Sequence, residues 1–489
     1  MILGLDIGSS GCKCVAFTLD GEELCSEYRE YTHVPGMANL DPFALKEAAF
    51  SVIRGCASKL EDRRAVSAIS ISSFGESFVA LDDKGEPLGD IVMYYVDASS
   101  SLFSGVVERA GADRLIEITR VMPETMYSLA KMLPIIQERG KVWKFLQVMD
   151  YIAWSLSGET CTDYSLATRT LLFDLSKLAW SDEILDCAGI PKDALPTPVK
   201  SGSIVGSITP AAASELGLER SVSIVICAQD QIAGALGSGV LEEGDAVDGN
   251  GTVECITPLF TGLREPGFTL NNYVTIPYLT AGGYVTYAFN FTGGSLLKWY
   301  RAAFGSGLKG EAGGSFYEHM NRNCPPAPSE LVVIPHFQGA GGTPEIVREA
   351  RGIIYGLDLK SDAYGIYRAL LEGLSFEMKY NLEKLHSFGI DPRRFFAAGG
   401  GAKSKQWLQI KADIWGCEVL PVLTEEAGAQ GTAIMAAAAL HGEDITAVAK
   451  RFVKYGAPVK PSGEHAETYE KKYELYKNLR SFSLGHWRK

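Results

Sequence analysis

The chain has 489 residues, 46% of them apolar, which is enough for two large domains or about three of ordinary size. Its net charge of −13 arises from 46 basic and 59 acidic residues without a basic stripe or tail, and this excludes an ordinary nucleic-acid-binding protein. No signal peptide or apolar run of roughly 18 residues is present, so we expect no membrane association. The ten cysteines are scattered, which favours reduced thiols and a cytoplasmic location.

The first predicted element is a hairpin of two strands, Ile2–Asp6 and Cys14–Leu19. The Gly/Ser turn between them, Gly8–Gly11, exposes backbone N–H groups that can form an anion-binding concavity. Asp6 ends the first strand, where a carboxylate can bind Mg²⁺ directly or through water. An ordinary hairpin in which Asp6 accepts hydrogen bonds from turn amides explains the same pattern, and no P-loop sequence occurs.

Acids and aromatic residues follow the next two predicted strands. Strand Ala68–Ser72 leads to Glu76, and strand Ile91–Tyr95 leads to Asp97. Carboxylates accept hydrogen bonds from hydroxyls and aromatic rings cover C–H faces, so this combination suits a polyhydroxylated ligand. An exposed acid beside core tyrosines is the alternative. A buried Glu76 would need hydroxyls to satisfy it, so we expect a preference for neutral ligands over acids.

The apolar strand Ser223–Cys227 delivers Asp230 to the start of a helix rich in glycine and alanine. The ends of strands are where α/β folds place their chemistry, and phosphoryl transfer needs a carboxylate on the attacking hydroxyl. A plain N-cap role explains Asp230 equally well at this point.

A second hairpin is predicted half a chain later. Strands Ala246–Asp248 and Val253–Pro258 flank the turn Asn250–Thr252, which repeats the theme of the first hairpin. We therefore predict an α/β protein with two lobes of related architecture, residues 1–244 and 245–489.

A glycine cluster at 399–401 follows the predicted strand Arg394–Ala398 and precedes a helix over Ser404–Trp415. Glycines allow a ligand to approach the backbone and a helix start favours phosphate, although a flexible loop is an equally good interpretation.

The other predicted elements are a strand at Leu331–Ile334, helices at Pro42–Lys59, Met126–Arg139, Ala363–His386 and Ala429–His441, and a terminal surface helix from His465 to Arg480.

Taken in order, these motifs resemble the FGGY carbohydrate kinases of the actin-like ATPase superfamily. The matching segments are GLDIGSSGCK from Gly4, TDYSLATRTLLFDLSKLAW from Thr162, AQDQIAGALGSG from Ala228, GNGT from Gly249 and AAGGGAKSKQWLQIKADIWG from Ala397. The sequence departs from the family at Pro134, where a Trp is usual, and at Gly365, where a polar residue is expected.

The resemblance implies two actin-like (ribonuclease H-like) lobes with a cleft between them, the first binding the sugar and the second the nucleotide. It implies ATP- and Mg²⁺-dependent phosphorylation of a small sugar, a xylulose-like ketopentose first and a polyol of the glycerol or erythritol type next. It leaves room for a homodimer. Glu76 falls where xylulokinases usually carry a His and glycerol kinases a Glu.

The resemblance also implies roles for individual residues. Asp230 would be the catalytic base and, with Asp6, a Mg²⁺ ligand. The sugar would contact Glu76, Tyr95, Asp97 and Asp230, with the first three on one wall facing Asp230. The residues implied at the nucleotide and its phosphates are Asp6, Gly8, Ser9, Ser10, Lys13, Gly251, Thr252, Gly400, Gly401, Ala402 and Ser404.

Two rival classes remain open at this point. An actin-like chaperone or filament subunit would share the phosphate loops but need no sugar site. A dinucleotide-dependent dehydrogenase would need GxGxxG after the first strand, whereas Gly4, Gly8 and Gly11 have another spacing.

Overall fold

The computed structural model describes residues 1–31, 39–98, 100–279, 282–305 and 315–488. Its β-strands are β1 (Ile2–Ile7), β2 (Gly11–Phe17), β3 (Glu23–Glu30), β4 (Asn39–Leu40), β5 (Ala68–Ser73), β6 (Phe78–Leu81), β7 (Ile91–Val92), β8 (Lys144–Gln147), β9 (Cys161–Asp163), β10 (Phe173–Asp174), β11 (Ala179–Trp180), β12 (Thr197–Val199), β13 (Ser203–Ser207), β14 (Ser223–Gln229), β15 (Asp245–Asn250), β16 (Glu254–Thr261), β17 (Ile276–Pro277), β18 (Gly283–Val285), β19 (Ala288–Asn290), β20 (Val332–Ile334), β21 (Ile353–Tyr355), β22 (Arg394–Gly399) and β23 (Glu418–Pro421).

The helices alternate with these strands, as the α/β class predicted from the sequence requires. They are α1 (Pro42–Ser58), α2 (Ser101–Ala110), α3 (Ala112–Thr119), α4 (Ser128–Arg139), α5 (Val148–Ser157), α6 (Tyr164–Thr168), α7 (Asp182–Ala188), α8 (Pro210–Leu216), α9 (Asp230–Ser238), α10 (Pro266–Thr269), α11 (Gly294–Phe304), α12 (Phe316–Asn323), α13 (Ala363–Ser387), α14 (Lys405–Trp415), α15 (Ala427–His441), α16 (Ile445–Phe452) and α17 (Ala466–Trp487).

The chain divides into two compact units that are not two contiguous halves. The first unit contains Met1–Gly239, Val274–Val285 and Glu426–Val453, and the second contains Val240–Tyr273, Thr286–Glu425 and Lys454–Lys489. The change of unit after Gly239 lies close to the predicted boundary at 244/245. The later segments of the first unit depart from that prediction because they include α15, which packs on α9 and β1.

The first unit is built on a six-stranded sheet in the order β13-β14-β5-β1-β2-β3. Strand β1 pairs antiparallel with β2 and parallel with β5, and β5 pairs parallel with β14. Side chains of β1 such as Leu3 and Leu5 are fully buried, as expected for a central strand covered on both faces. The carboxyl ends of β1, β5 and β14 therefore lie at one edge of this sheet, and each is followed by a predicted site residue.

The second unit repeats the central part of this arrangement. Strand β15 pairs antiparallel with β16 and parallel with β22, and β22 pairs parallel with β23. Strand β19 adds to the other side of β16. The hairpin predicted twice from the sequence is thus present in each unit, and in each unit a parallel strand pairs with its first strand.

Some predicted elements need correction. The strand predicted at Cys14–Leu19 spans Gly11–Phe17, so Gly11 lies in the strand and not in the turn. The strand predicted at Ile91–Tyr95 ends at Val92, and Tyr94 and Tyr95 lie in a turn. The terminal helix is longer than predicted and does not simply lie on the surface, because Tyr469, Tyr473 and Tyr476 form a buried face. A tyrosine every three or four residues is helical spacing, so this stripe belongs to the core of the second unit.

The ten cysteines of the chain are all free thiols in the structure. Among the described residues, no helix is both long and apolar enough to cross a membrane.

Candidate active site

Asp6 lies at the end of β1, where its carboxylate is half-buried and accepts a hydrogen bond of 2.7 Å from the Ser72 hydroxyl of β5. The start of α15 comes very close, since a Cβ on Gly428 would lie 2.3 Å from Asp6 Oδ2. Burial raises the pKa of Asp6, the Ser72 hydrogen bond opposes that rise, and the negative charge of Glu426 adds to it. The surroundings of Asp6 therefore disfavour its ionised form.

Asp230 is the first residue of α9, immediately after β14. Gln229 occupies the N-cap position, so the N-cap explanation of Asp230 does not hold. The Gln231 N–H donates to Asp230 Oδ1 over 2.7 Å, which directs the carboxylate at the helix start. Burial and the negative charge of Asp6 raise the pKa of Asp230 to about 8. The two predicted acids are therefore within electrostatic reach of each other.

A hydrogen-bonded support behind Asp230 was not found from the sequence. The N–H of Gln229 donates to the Ser165 hydroxyl over 2.9 Å, and the Ser165 N–H donates to the Asp163 carboxylate over 2.9 Å. Asp163 and Ser165 are buried at the start of α6. The middle segment beginning at Thr162 thus fixes the backbone that presents Asp230.

Close packing of α9 on α15 fixes the helix that Asp230 begins. A Cβ on Gly237 would lie 1.9 Å from the Ala427 carbonyl oxygen, and one on Gly431 would lie 1.9 Å from that of Ala233. Only glycine allows such an approach of two helix backbones. The small residues of both helices therefore determine where the start of α9 lies relative to that of α15.

The turn after Asp6 has a defined hydrogen-bond pattern. The Gly8 N–H donates to the Gly11 carbonyl over 2.9 Å, so Gly8 closes the turn instead of presenting its N–H to a ligand. Ser9 hydrogen-bonds the Tyr94 side chain, and Ser10 is exposed. Lys13 on β2 forms an ion pair of 2.5 Å with Glu426, a partner that the sequence did not reveal.

Glu76 is buried, with only 4% exposure, and adopts a left-handed backbone conformation with φ of 66°. Its carbonyl oxygen accepts from the Ser128 hydroxyl over 3.1 Å and from the Lys131 ammonium over 3.4 Å. A non-glycine residue in this region is strained and persists only where its surroundings hold it, as Ser128 and Lys131 do here.

The carboxylate of Glu76 is paired with the guanidinium of Arg169, which lies 5.1 Å from the Tyr127 ring. This corrects the expectation that hydroxyls of a ligand must satisfy Glu76, since a cation of the protein already does so. Burial lowers the pKa of the neighbouring Lys131 to about 8, with Glu76 opposing the shift. The sugar-site candidates thus include two buried basic side chains that sequence reasoning missed.

Tyr94, which directly precedes the predicted Tyr95, interacts electrostatically with the acids. Burial raises the pKa of Tyr94, and the charges of Asp230 and Glu76 add to that rise. Tyr95 is 55% exposed and contacts Tyr94 ring to ring at 5.3 Å. Asp97 is also exposed and accepts a hydrogen bond of 3.0 Å from the Thr125 hydroxyl.

The candidates of the second unit lie in two glycine loops. Gly251 and Thr252 form the exposed turn between β15 and β16, and their carbonyls accept from the N–H groups of Gly294 and Ser295 over 2.9 and 3.0 Å. The start of α11 therefore supports this turn from below.

The other loop, Gly400–Lys403, is a short 3-10 helix after β22 and includes Gly401 and Ala402. A Cβ on Gly400 would meet no atom within 4 Å, so a ligand could approach its backbone. Ser404 is the N-cap of α14, and its hydroxyl accepts from the Trp407 N–H over 3.3 Å. Its hydroxyl therefore already has a structural role.

Comparison with known families identifies the class of protein. Residues 1–237 match the N-terminal domain and residues 254–440 the C-terminal domain of the FGGY family of carbohydrate kinases. The chain belongs to this family. It is a phosphotransferase with an alcohol group as acceptor, acts on a small sugar and, as a kinase, uses ATP. The family resemblance of the motifs is confirmed, and the dehydrogenase and the non-kinase ATPase are wrong.

Individual relatives cover nearly the whole chain. The xylulose kinase of Lactococcus lactis subsp. lactis is 27% identical over 496 residues, which span 98% of this chain and 96% of the relative. The glycerol kinase of Symbiobacterium thermophilum is 28% identical over 455 residues, 89% of each chain. The crystal structure of gluconate kinase from Lactobacillus acidophilus matches with a TM-score of 0.87 and 22% identity, covering 99% of this chain and 98% of the other. This likeness confirms the two-domain actin-like fold.

Proposed function

We propose that this chain phosphorylates a ketopentose of the xylulose type, with Mg²⁺ and with Asp230 as general base. The proposal is supported by relatives of full length that carry the name xylulose kinase. The observation that carries it is the placement of Asp230 at the end of β14 with its pKa raised to about 8. A general base is most effective when its pKa lies near the operating pH.

In the proposed reaction the substrate hydroxyl gives its proton to the Asp230 carboxylate. The hydroxyl oxygen bonds to the γ-phosphorus of ATP while the bond from that phosphorus to the ADP oxygen breaks. Hydrogen bonds from Gln231 and through Gln229 to Ser165 hold Asp230 in one orientation during this transfer.

Asp6 and Asp230 fit a Mg²⁺ ion. Mg²⁺ is usually held by one or two carboxylates together with substrate phosphates and water. Among the described residues no group of three or more His, Cys, Asp or Glu side chains could hold a metal ion. Burial and the negative charge of Asp6 raise the pKa of Asp230, and a cation held by both carboxylates would offset that repulsion. When bound, Mg²⁺ would neutralise charge on the phosphates.

For the nucleotide we propose the two glycine loops of the second unit. In the first unit, taken by itself, we propose the Ser9–Ser10 turn and Lys13 as candidates for binding phosphate. The exposed backbone at Gly251 and Gly400 supports this role, because a phosphate can approach a backbone that carries no Cβ.

For the sugar we propose Glu76, Tyr95 and Asp97, as the family resemblance implies. The Glu76–Arg169 pair offers an acceptor and a donor side by side, which suits a neutral sugar with hydroxyl and carbonyl groups. A second candidate, an aldonate, is favoured by a specific observation: Arg169 and Lys131 place two basic side chains beside one acid. A polyol remains the third option, since Glu76 matches the residue usual in glycerol kinases.

The test is ADP release by the purified protein with Mg²⁺-ATP and D-xylulose, glycerol, erythritol or gluconate, with mass spectrometry of each product. We expect the highest kcat/KM for D-xylulose and a single added phosphate. A higher kcat/KM for gluconate would replace the ketopentose with the aldonate.

The variant Glu76→Ala should lower kcat/KM for the preferred sugar and leave the KM for ATP nearly unchanged. An ATP defect with intact sugar preference would remove Glu76 from the sugar site.

A homodimer and a cytoplasmic location stay predictions from the sequence. Light scattering of the purified protein measures the first and fractionation of the source cells the second.

A further inference from the structure

A cluster of buried charges lies under the turn that joins β15 to β16 in the second unit. Its members are Lys411 of α14, Asp248 of β15 and Glu254 of β16, and all three side chains have 0% exposure. Lys411 Nζ lies 2.6 Å from Asp248 Oδ2 and 2.6 Å from Glu254 Oε1. One ammonium thus contacts both strands of the hairpin.

The same ammonium also donates to the side-chain oxygen of Asn250, the last residue of β15. Asn250 and Glu254 face each other in the antiparallel register, and the turn of residues 251–253 lies between them. Lys411 therefore holds the residue before this turn and the residue after it. The Asn250 amide in turn donates to Asp248 Oδ2 over 2.9 Å, which closes the network.

Asn250 is also the residue on which the second glycine loop packs. A Cβ on Gly399 would lie 2.7 Å from the Asn250 carbonyl oxygen, and a Cβ on Gly401 would lie 2.6 Å from Asn250 Cβ. A displacement of Asn250 would therefore move both glycine loops, since close-packed backbones leave no room for independent shifts.

Two tryptophan rings of α14 hold the ammonium group of Lys411 in place. Its ammonium lies 4.4 Å from the Trp407 ring and 5.1 Å from the Trp415 ring, on the same helix. Trp407 also borders the glycine loop, because a Cβ on Gly401 would lie 2.7 Å from its ring. The rings favour the cation and fix the direction in which it reaches the hairpin.

Stability alone is a poor explanation for such a cluster. A buried ion pair often stabilises no more than apolar residues of the same volume would, because both ions lose their hydration. Here two carboxylates share one ammonium and repel each other, since the negative charge of Asp248 acts on Glu254. Burial and Asp248 raise the pKa of Glu254 to about 7 even though Lys411 lowers it. An arrangement this unfavourable is better explained by the loops that it orders.

We propose that Lys411 is a positioning residue for the nucleotide, which orders the Gly251–Thr252 turn and the Gly399–Gly401 loop through Asn250, Asp248 and Glu254. The proposal rests on the proposed function, in which these two loops bind ATP. Lys411 does not contact ATP itself, because its ammonium is buried under the turn.

The experiment compares two test variants and one control variant with the wild type. Lys411→Met removes the cation and leaves two buried acids, which can prevent folding. The triple variant Lys411→Met, Asp248→Asn, Glu254→Gln keeps the side-chain sizes and leaves no buried charge, so we expect it to fold. The control is Glu372→Gln, which breaks a buried ion pair with Arg368 elsewhere in the same unit. Each protein is measured for melting temperature, KM for ATP, Kd for ADP and Kd for the sugar without nucleotide.

We expect the triple variant to raise the KM for ATP and the Kd for ADP by about 10- to 100-fold, since small misplacements of binding groups have effects of this size. The sugar Kd should stay unchanged. The control should lower the melting temperature without changing the KM for ATP. A folded triple variant with wild-type values for both nucleotide constants would overturn the positioning role. If the wild type itself binds no ATP, the proposed function fails instead, so the two failures are distinguishable.

Discussion

The two hairpins of the molecule share a backbone plan but use their acids differently. In each, a strand carrying an Asp leads through a glycine-containing turn into an antiparallel strand, with a parallel strand on the other side. The acid is Asp6 in β1 and Asp248 in β15. Asp248 is fully buried and neutralised by Lys411, whereas Asp6 is half-buried and accepts from a neutral hydroxyl.

The surroundings of the two acids extend this contrast. The charges that act on Asp6 include another acid, Glu426, which raises its pKa, while Lys13 lowers it. The same backbone plan can therefore leave one carboxylate available to a cation and use the other to brace a turn. A glycine turn after an Asp predicts the hairpin backbone. Only the charged and polar partners of the Asp show whether its carboxylate is available to a cation or braces the turn.

Lys411, which contacts the second hairpin from α14, and Lys13, which lies in the first hairpin, should differ most in their effect on stability. Lys411→Met should lower the free energy of unfolding by about 3–5 kcal/mol, because it leaves two buried carboxylates without their cation. Lys13→Met should lower it by at most about 1 kcal/mol, because its ion pair with Glu426 is partly exposed. Guanidinium unfolding of both variants without ligands measures the difference. Equal losses would show that the two hairpins do not differ in this way.

Loss of Asp6, the acid of the first hairpin, should change how strongly the activity depends on Mg²⁺. Asp6→Asn should raise the Mg²⁺ concentration needed for half-maximal activity by about 10- to 100-fold, as losses at metal sites generally do. The measurement is a Mg²⁺ titration at saturating ATP and sugar. Glu372→Gln serves as the control and should leave the titration unchanged. An unchanged Mg²⁺ titration for Asp6→Asn would show that Asp6 is only a residue of the hairpin and does not bind Mg²⁺.

The smallest expected effect is on stability as a function of pH. The pKa of Asp230 is about 8 in the folded protein, well above the roughly 3.9 of an unfolded Asp. The folded state therefore keeps a proton that the unfolded state loses between these values, so stability falls as the pH rises from about 4 and the contribution is fully lost once the pH has passed about 8. The Asp230→Asn variant has no such proton to lose. Its melting temperature minus that of the wild type should therefore rise by a few degrees between pH 5 and pH 9, measured without Mg²⁺ or ATP. A constant difference would mean that the pKa of Asp230 is not raised.

The sequence predicted what local patterns determine. Apolar runs that end at glycine turns located both hairpins, and the strand before Asp230 was found in the same way. The tyrosines of α17 have helical spacing, but the charged residues around them favour a surface helix, and only the packing of the second unit shows that they are buried. The first unit could not be predicted as discontinuous, since the packing of α15 on α9 depends on contacts far apart in the chain.

The charge partners of the site were out of reach for the same reason. Glu76 and Arg169 lie 93 positions apart, and Lys13 and Glu426 lie 413 apart, so no local spacing relates them. The end of β7 at Val92 was also out of reach, because the apolar run Ile91–Tyr95 predicts a strand three residues longer.

The central claim is that Asp230 is the base of a sugar kinase, and the rate of Asp230→Asn tests it most directly. The variant is isosteric and keeps an oxygen that can accept from the Gln231 N–H. The measurement is the single-turnover rate of phosphate transfer from ATP to the preferred sugar, with the Kd values for ATP and sugar measured in parallel. We expect a rate about 10²–10⁴ lower than that of the wild type, with both Kd values nearly unchanged. A folded variant that transfers phosphate at the wild-type rate would contradict the assignment.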